Sequence, residues 1–477
     1  MNPDRIKRLA DDDRRYVWHP FTQMKDWLDE EPLVIDRAEG VELIDTQGRR
    51  YIDGVSSLWT NVHGHQVPEI DDALREQIGK IAHSTLLGLA NVPSIDLARE
   101  LVELSPEGLS KVFYSDSGST AVEIALKMAF QYWQQLGPEW AGKKRFACVR
   151  DAYHGDTIGS VSVGGIDLFH SIYKPLLFET ESLPSPFCYR CPLGLERAAC
   201  DMACAAEAER TIAEKRDELA AVVMEPLVQG AAGIIVHPEG FLSRVAAACR
   251  ENNVLLILDE VATGFGRTGT MFACEQEGVA PDFLCLAKGI SGGYLPLAAT
   301  LVSEKIFEGF LGTYESFRTF FHGHTYTGNP LACAVALGSL KVFRKRGVLA
   351  HVKELAEYLA TRLAAIAGTT HVGRAMPHVG HLRQRGLMAG IELVRDAATG
   401  ERYHVTERVG HRVTVEARKR GAIVRPLGDT IVLMPPLAMN REQLGRLLDI
   451  VTESIACVTD EVAVGTARVD PAASRQA

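Results

Sequence analysis

The chain has 477 residues, too many for one ordinary hydrophobic core, so two or three lobes are expected. Its 46% hydrophobic and 23% charged content is that of a soluble globular enzyme. The net charge of -10, without a long single-sign block, argues against a nucleic-acid surface, and no apolar run reaches the roughly 18 residues of a membrane span.

The N-terminus, Met1-Asn2-Pro3-Asp4-Arg5-Ile6-Lys7, has no apolar stretch of the secretory type, so a cytoplasmic location and ten reduced cysteines are expected. From about residue 70 to 335, strand and helix signals alternate, the pattern of a parallel sheet wrapped by helices. Val112-Phe113-Tyr114 reads as a short strand, and Ser115-Asp116-Ser117-Gly118-Ser119 as a turn. Val122, Ala125, Leu126, Ala129, Phe130 and Trp133 then follow at helical spacing, with Thr120 and Glu123 three apart as a capping box. A strand, a Gly/Ser turn and a helix N-terminus make an anion site, because free backbone N–H groups converge there. An ordinary strand-to-helix turn has the same sequence.

Phe146-Ala147-Cys148-Val149 and Ala221-Val222-Val223-Met224 read as further buried strands, the second ending on Glu225-Pro226 and followed by Gln229-Gly230. Between them, Cys188, Cys191, Cys200 and Cys204 occupy what looks like an insert, residues 187–206. Their spacing is close to that of structural zinc sites. The competing reading, four reduced thiols acting as small apolar filler, assigns no metal. Any zinc there would be structural and outside the reaction.

Two more apolar runs carry the strongest signal. Leu255-Leu256-Ile257-Leu258 ends on Asp259, and Phe283-Leu284-Cys285-Leu286-Ala287 ends on Lys288. Both read as buried parallel strands, which puts opposite charges at the sheet edge where open α/β sheets bind ligands. Pyridoxal phosphate needs such a pair: an Asp keeps its pyridine nitrogen protonated, and a Lys holds its aldehyde as a Schiff base. A structural ion pair at a strand end is the alternative. Beyond residue 336 the texture changes to charged amphipathic helices, then Ile423-Val424-Arg425-Pro426 and Ile431-Val432-Leu433-Met434, which suggests a smaller α+β lobe. Residues 466–477 are small and polar and read as a frayed tail.

The run Leu258-Asp259-Glu260-Val261-Ala262-Thr263-Gly264-Phe265-Gly266-Arg267-Thr268-Gly269, with Lys288, resembles the signature of class III pyridoxal-phosphate aminotransferases. More narrowly, the resemblance is to the branch that works in biotin synthesis. It is carried by Trp18-His19-Pro20-Phe21-Thr22, Ser56-Ser57-Leu58-Trp59, Asp116-Ser117-Gly118-Ser119, Tyr153-His154-Gly155-Asp156, His322-Gly323-His324-Thr325 and Arg425-Pro426-Leu427-Gly428. It implies an α/β, aspartate-aminotransferase-like fold, with a mostly parallel sheet in a large domain (71–335) and a smaller α+β domain (336–465). Residues 1–70 would contribute to the active site and the small lobe.

The same resemblance implies transfer of an amino group to 8-amino-7-oxononanoate, giving 7,8-diaminononanoate, by a homodimer with shared active sites. Lys288 would bind the cofactor, Asp259 would hold its ring nitrogen, and Tyr153 would stack on its face. Gly118 and Ser119 would hold the phosphate, with Thr325 and its neighbour His324 completing that site from the other subunit, and Gln229 would lie near the phenolic oxygen. Substrate would touch Phe21, Leu58, Trp59, Tyr153, Lys288, Gly323 and Arg425, the arginine gripping the carboxylate bidentately. Arg267 would instead hold the turn around Gly264, Gly266 and Gly269. Phe21, Leu58 and His324 depart from the pattern of members that use S-adenosylmethionine as donor and look more like the branch that uses lysine. Both donors stay open. So do another class III ω-aminotransferase, an aminomutase of the same fold and a non-catalytic binder.

Overall fold

The computed structural model describes residues 1–368 and 376–467. The greater part of the expected tail therefore lies outside the described residues. The core is a seven-stranded sheet in the spatial order Leu109–Ser115, Ala298–Ser303, Phe283–Leu286, Leu255–Asp259, Leu219–Met224, Arg145–Val149, Thr180–Leu183. Five consecutive strands pair in parallel. Ala298–Ser303 runs antiparallel to both its neighbours. Leu255–Asp259, Leu219–Met224 and Phe283–Leu286 are buried along their whole length, as strands covered on both faces must be. The sheet is the mostly parallel one expected, with one antiparallel strand that the apolar pattern alone does not reveal.

Helix Gly118–Leu136 covers one face. Of its predicted apolar stripe, Val122, Ala125, Leu126, Ala129 and Trp133 are buried, and the Trp133 indole N–H donates to the Ala220 carbonyl at 2.9 Å. Phe130 is exposed, one step beyond the buried arc. The helix begins two residues earlier than its expected cap. Ser117 is the N-cap, and its side chain and that of Thr120 form the capping box. Glu123 instead accepts from the backbone N–H groups of Gly159 (2.7 Å) and Ser160 (3.3 Å), fastening the helix Ile158–Ser162. With Ser117 as N-cap, Thr120 is the third helical residue and Glu123 the sixth, too far along to reach the cap.

Among the described residues there are three smaller sheets, one of them the two-stranded pair Val228–Gln229 and Ile235–Val236. Strands Ile35–Glu39, Glu42–Asp45 and Arg50–Asp53 pair with one another and, in parallel, with Ala422–Ile423. Val379–Arg385, Met388–Leu393, Thr430–Leu433 and Arg425–Leu427 form an antiparallel sheet in that order.

In the cysteine-bearing insert, Cys188 opens a short 3-10 turn and Cys204 lies in the first turn of helix Ala203–Glu214. Burial raises the pKa of the Cys188 and Cys204 thiols, and the other cysteines add to it, so the four lie near one another. Among the described residues, however, no group of three or more His, Cys, Asp or Glu is placed to hold a metal ion. All ten cysteines are free thiols. The insert is fixed by other means: Tyr189 stacks on His381 with ring centroids 4.4 Å apart, and Arg190 pairs with Glu392 at 2.7 Å.

Candidate active site

Strand register assembles the site. Met224 lies level with Leu258, and Asp259 level with Cys285, so the residues that follow these strands emerge along one sheet edge. Glu225, Asp259 and Lys288 there line a cleft of about 390 Å³, with Trp59, Gly118, Ser119, Tyr153 and His154 among the other walls.

Lys288 is partly buried in the cleft wall. Burial lowers the pKa of its amine, Asp259 and Glu225 oppose that fall, and Arg267 and Arg425 add to it. Its Nζ sits 4.7 Å from the centre of the Trp59 ring. The residue has φ 45°, in the left-handed region that costs a side-chain-bearing residue of order 1–3 kcal/mol and is often kept at functional sites.

Asp259 is held on both oxygens: Oδ2 lies 2.8 Å from His154 Nδ1, and Oδ1 accepts from the Val261 N–H at 2.9 Å. The buried Nε2 of His154 has no partner. Tyr153 donates its backbone N–H to Glu225 (3.2 Å) and its hydroxyl to Asp156 (2.7 Å). Burial, and then Asp156, raise the pKa of the phenol, so it stays protonated.

At the N-terminus of helix Gly118–Leu136, the Thr120 N–H is capped by Ser117, while the backbone N–H groups of Gly118 and Ser119 have no partner within the helix and can meet an anion. Close packing makes glycine obligatory here. A Cβ on Gly118 would lie 2.6 Å from a Val261 methyl, and one on Gly155 would lie 1.9 Å from Ser119 Oγ. Ser119 Oγ also accepts from the Asp156 N–H at 3.2 Å.

Trp59 reaches the cleft through unusual backbone. Ser56, Ser57, Leu58 and Trp59 all have φ between 51° and 95°. Such a left-handed turn costs about 1–2 kcal/mol per residue. It is secured by the Ser56 hydroxyl on the Met434 carbonyl and the Ser57 hydroxyl on Asp53, each at 2.7 Å. The turn faces Trp59 inward and leaves Leu58 exposed, so Leu58 does not line the cleft. Arg267 is buried, and its guanidinium donates to the carbonyls of Trp59, Asn61 and Pro435, tying the Gly-rich turn to the Trp59 segment.

Arg425 stands beside the cleft, half-buried, with its guanidinium 5.9 Å from the centre of the exposed Phe21 ring. Burial lowers its pKa and Tyr153 raises it. Among the described residues, no hydrogen bond or ion pair engages the guanidinium. Gly323 and Thr325 are exposed and outside the cleft lining, while His324 Nδ1 meets Asp116 of the same chain at 2.8 Å. Gln229 is buried behind the lining, where its amide N–H2 donates to the Arg150 carbonyl and its Oε1 has no partner. One of its two amide N–H donors is thus engaged, and the other is left for a group in the cleft.

Sequence reasoning assigned no role to His154, Asp156 or Glu225. His154 and Asp156 sit inside a quoted motif, and Glu225 ends an apolar run just as Asp259 does, so the signal was there for all three.

These residues fit pyridoxal phosphate. The free helix N-terminus with Ser119 suits its phosphate, the buried Asp259 its ring nitrogen, the buried amine of Lys288 its aldehyde, and the glycines clear the space.

Residues 24–455 match the model of the aminotransferase class-III family. A protein of Nitratidesulfovibrio vulgaris named adenosylmethionine-8-amino-7-oxononanoate aminotransferase is 58% identical over 461 residues, covering 97% of this chain and 84% of the relative. One of the same name from Geobacter sulfurreducens is 52% identical, covering 94% of this chain and 98% of the relative. The crystal structure of the Methanocaldococcus jannaschii protein of that name superposes with a TM-score of 0.88 at 43% identity, over 94% of this chain and 99% of that one. An ω-transaminase from Pseudomonas jessenii in complex with PMP superposes with a TM-score of 0.89 at 31% identity, over 95% and 99%.

Proposed function

The chain belongs to the class-III aminotransferases, and from that membership we propose that it aminates 8-amino-7-oxononanoate to 7,8-diaminononanoate in biotin biosynthesis, with S-adenosylmethionine as donor. It is a pyridoxal-phosphate enzyme of the α/β, aspartate-aminotransferase-like fold. The observation that carries the substrate reading is Arg425: a half-buried guanidinium with no protein partner, beside the cleft, is suited to a carboxylate brought in by substrate. Relatives down to 44% identity bear the adenosylmethionine name, which supports that donor over lysine. Leu58 supplies no wall to the cleft, which weakens the case for lysine built on that position. A different ω-aminotransferase is the second reading, supported by the likeness to the Pseudomonas jessenii protein at 31% identity.

When bound, the cofactor supplies an aldehyde and an electron-accepting pyridinium ring. The protein does the rest. Asp259, oriented by His154 and the Val261 N–H, holds the ring-nitrogen proton at its carboxylate. Lys288 Nζ, made less basic by burial, accepts and returns the proton of the substrate carbon. Gly118 and Ser119 anchor the phosphate end, and Tyr153 covers the ring face. Trp59 walls the cleft beside Lys288, and Arg425, with Phe21 next to it, would orient the carboxylate.

We place the large domain at 71–335 and the smaller at 336–465 with 1–70. A homodimer is part of this reading. Tyr314, Phe317, Phe321 and Tyr326 flank the His322–Thr325 segment and are exposed, the kind of apolar surface that a second subunit covers. Thr325 and His324 would then reach the neighbouring subunit's phosphate. A cytoplasmic location belongs to the same reading; among the described residues, no helix is long and apolar enough to cross a membrane.

The test offers 8-amino-7-oxononanoate to purified protein loaded with pyridoxal phosphate, with S-adenosylmethionine or lysine, and scores diaminononanoate by mass spectrometry. Product with S-adenosylmethionine is expected. Product with lysine alone would overturn the donor, and none with either would overturn the substrate.

A further inference from the structure

Glu225 is a buried carboxylate that the mechanism above does not use. It follows strand Leu219–Met224, beside Asp259, and is only 4% exposed. Buried carboxylates are ordinarily paired with a cation. This one has no salt bridge, and its two oxygens accept from two backbone N–H groups: Oε1 from Gly230 at 2.9 Å and Oε2 from Tyr153 at 3.2 Å.

Those two amides support different walls of the cleft. Tyr153 brings the ring assigned to the cofactor face. Gly230 packs on Trp59 so closely that a Cβ there would lie 3.1 Å from Trp59 Cζ3, and Trp59 in turn lies under Lys288. One carboxylate therefore spans from the aromatic cover to the support of the lysine. The charged and titratable groups that face it come from three directions. They are Asp259 from the adjacent strand, His154 from the segment after Arg145–Val149, and Lys288 from the segment after Phe283–Leu286.

We infer that Glu225 is a positioning residue, a latch whose ionised carboxylate holds the Tyr153 and Gly230 segments together and whose protonation releases one of them. The chemistry is direct. A carboxylate accepts on both oxygens, whereas a carboxylic acid carries a proton on one, which turns that oxygen's donor against an N–H donor. Burial, with Asp259 adding and His154 opposing, pushes the Glu225 pKa up to about 7, so the latch sets as pH rises through neutrality. The inference deepens the proposed function, because the walls being held are those of the cofactor cleft, yet it does not depend on which substrate is aminated.

The test uses cofactor-free full-length protein. Hydrogen exchange of peptides containing Tyr153 and Gly230 is followed by mass spectrometry from pH 6 to 8, corrected for intrinsic rates, alongside the infrared carbonyl band of buried carboxylic acids. In the parent protein, protection of at least one of the two peptides should rise across this range as one acid band fades. Glu225→Gln should remove that band and the pH dependence, and exchange at the released amide should be about tenfold faster, as expected for one lost hydrogen bond to a charged acceptor. Glu225→Asp, which restores the charge, should bring the pH dependence back, and it serves as the readout if the Gln variant fails to fold. Exchange independent of pH in the parent, or unchanged by either substitution, would overturn the latch. Because no substrate or cofactor is present, a failed donor assay leaves this result standing, and the reverse also holds.

Discussion

His154 Nδ1 and Asp259 Oδ2 are 2.8 Å apart inside the protein, with the His154 ring wholly shielded from solvent. The pair joins the segment after one strand to the end of another two places away in the sheet. It fixes the rotamer of the carboxylate from behind, as partners beyond the reacting groups commonly do. Replacing Asp259 with Asn should cut kcat by about 10²–10⁴, because the ring-nitrogen proton loses its counter-charge. His154→Phe should cost less, about tenfold to a hundredfold, with the carboxylate present but less well oriented. Equal losses in the two variants, measured in single-turnover half-reactions, would show that orientation and charge are not separable here.

Lys288→Ala should abolish turnover, and the variant should lack the visible absorbance of lysine-bound pyridoxal phosphate. Turnover that survives at more than a trace would remove Lys288 from its assigned role.

Arg425 offers a sharper division between the two substrates. Arg425→Ala should raise the KM for 8-amino-7-oxononanoate by about tenfold to a hundredfold, as for a lost hydrogen bond to a charged group, and leave kcat nearly unchanged. Arg425→Lys should recover only part of the loss, since an ammonium lacks the bidentate fork. If the KM of the donor rises by the same factor, the carboxylate is held elsewhere.

Acid stability should depend on histidines far from the reaction. His63 and His237 are buried, and burial lowers each to about 3. Between pH 6.5 and 3 they are protonated only in the unfolded chain, so each can cost up to about 1.4 kcal/mol per pH unit as pH falls. Glu225 and Glu260, raised by burial to about 7, act in the opposite sense, because the folded state binds their protons first. Their effect is complete below about pH 4.5, and the histidines then act unopposed by them. Among the described residues, neither ring nitrogen of His237 has a hydrogen-bond partner, so His237→Leu removes its titration without breaking a hydrogen bond. The variant's urea midpoint should fall less than the parent's between pH 5 and pH 3.5. Parallel curves would mean that His237 is not buried neutral.

Much of the site was legible because it lies at the ends of buried parallel strands, where an apolar run stops on a charge. Asp259 and Lys288 are of that kind, and Gly118 and Ser119 follow from a strand, a turn and a helix start. The Thr120–Glu123 cap gave way to Ser117, whose hydroxyl lies nearer the helix start. The left-handed turn at Leu58 and the Gln229–Arg150 hydrogen bond are likewise local features that spacing along the chain does not record.

The sequence by itself determined the alternation of elements, the mostly parallel sheet and the carboxylate and amine, Asp259 and Lys288, that meet at its edge. Those are properties of hydrophobic period and of what ends each run, and both are local. Only the tertiary structure decided that Arg425 stands beside Tyr153 with no hydrogen bond or ion pair among the described residues, that His154 backs Asp259, and that Glu225 joins the supports of two cleft walls. Each of these depends on distant segments meeting at a strand edge, and on whether a polar group, once buried there, finds another partner first. No spacing along the chain records that competition.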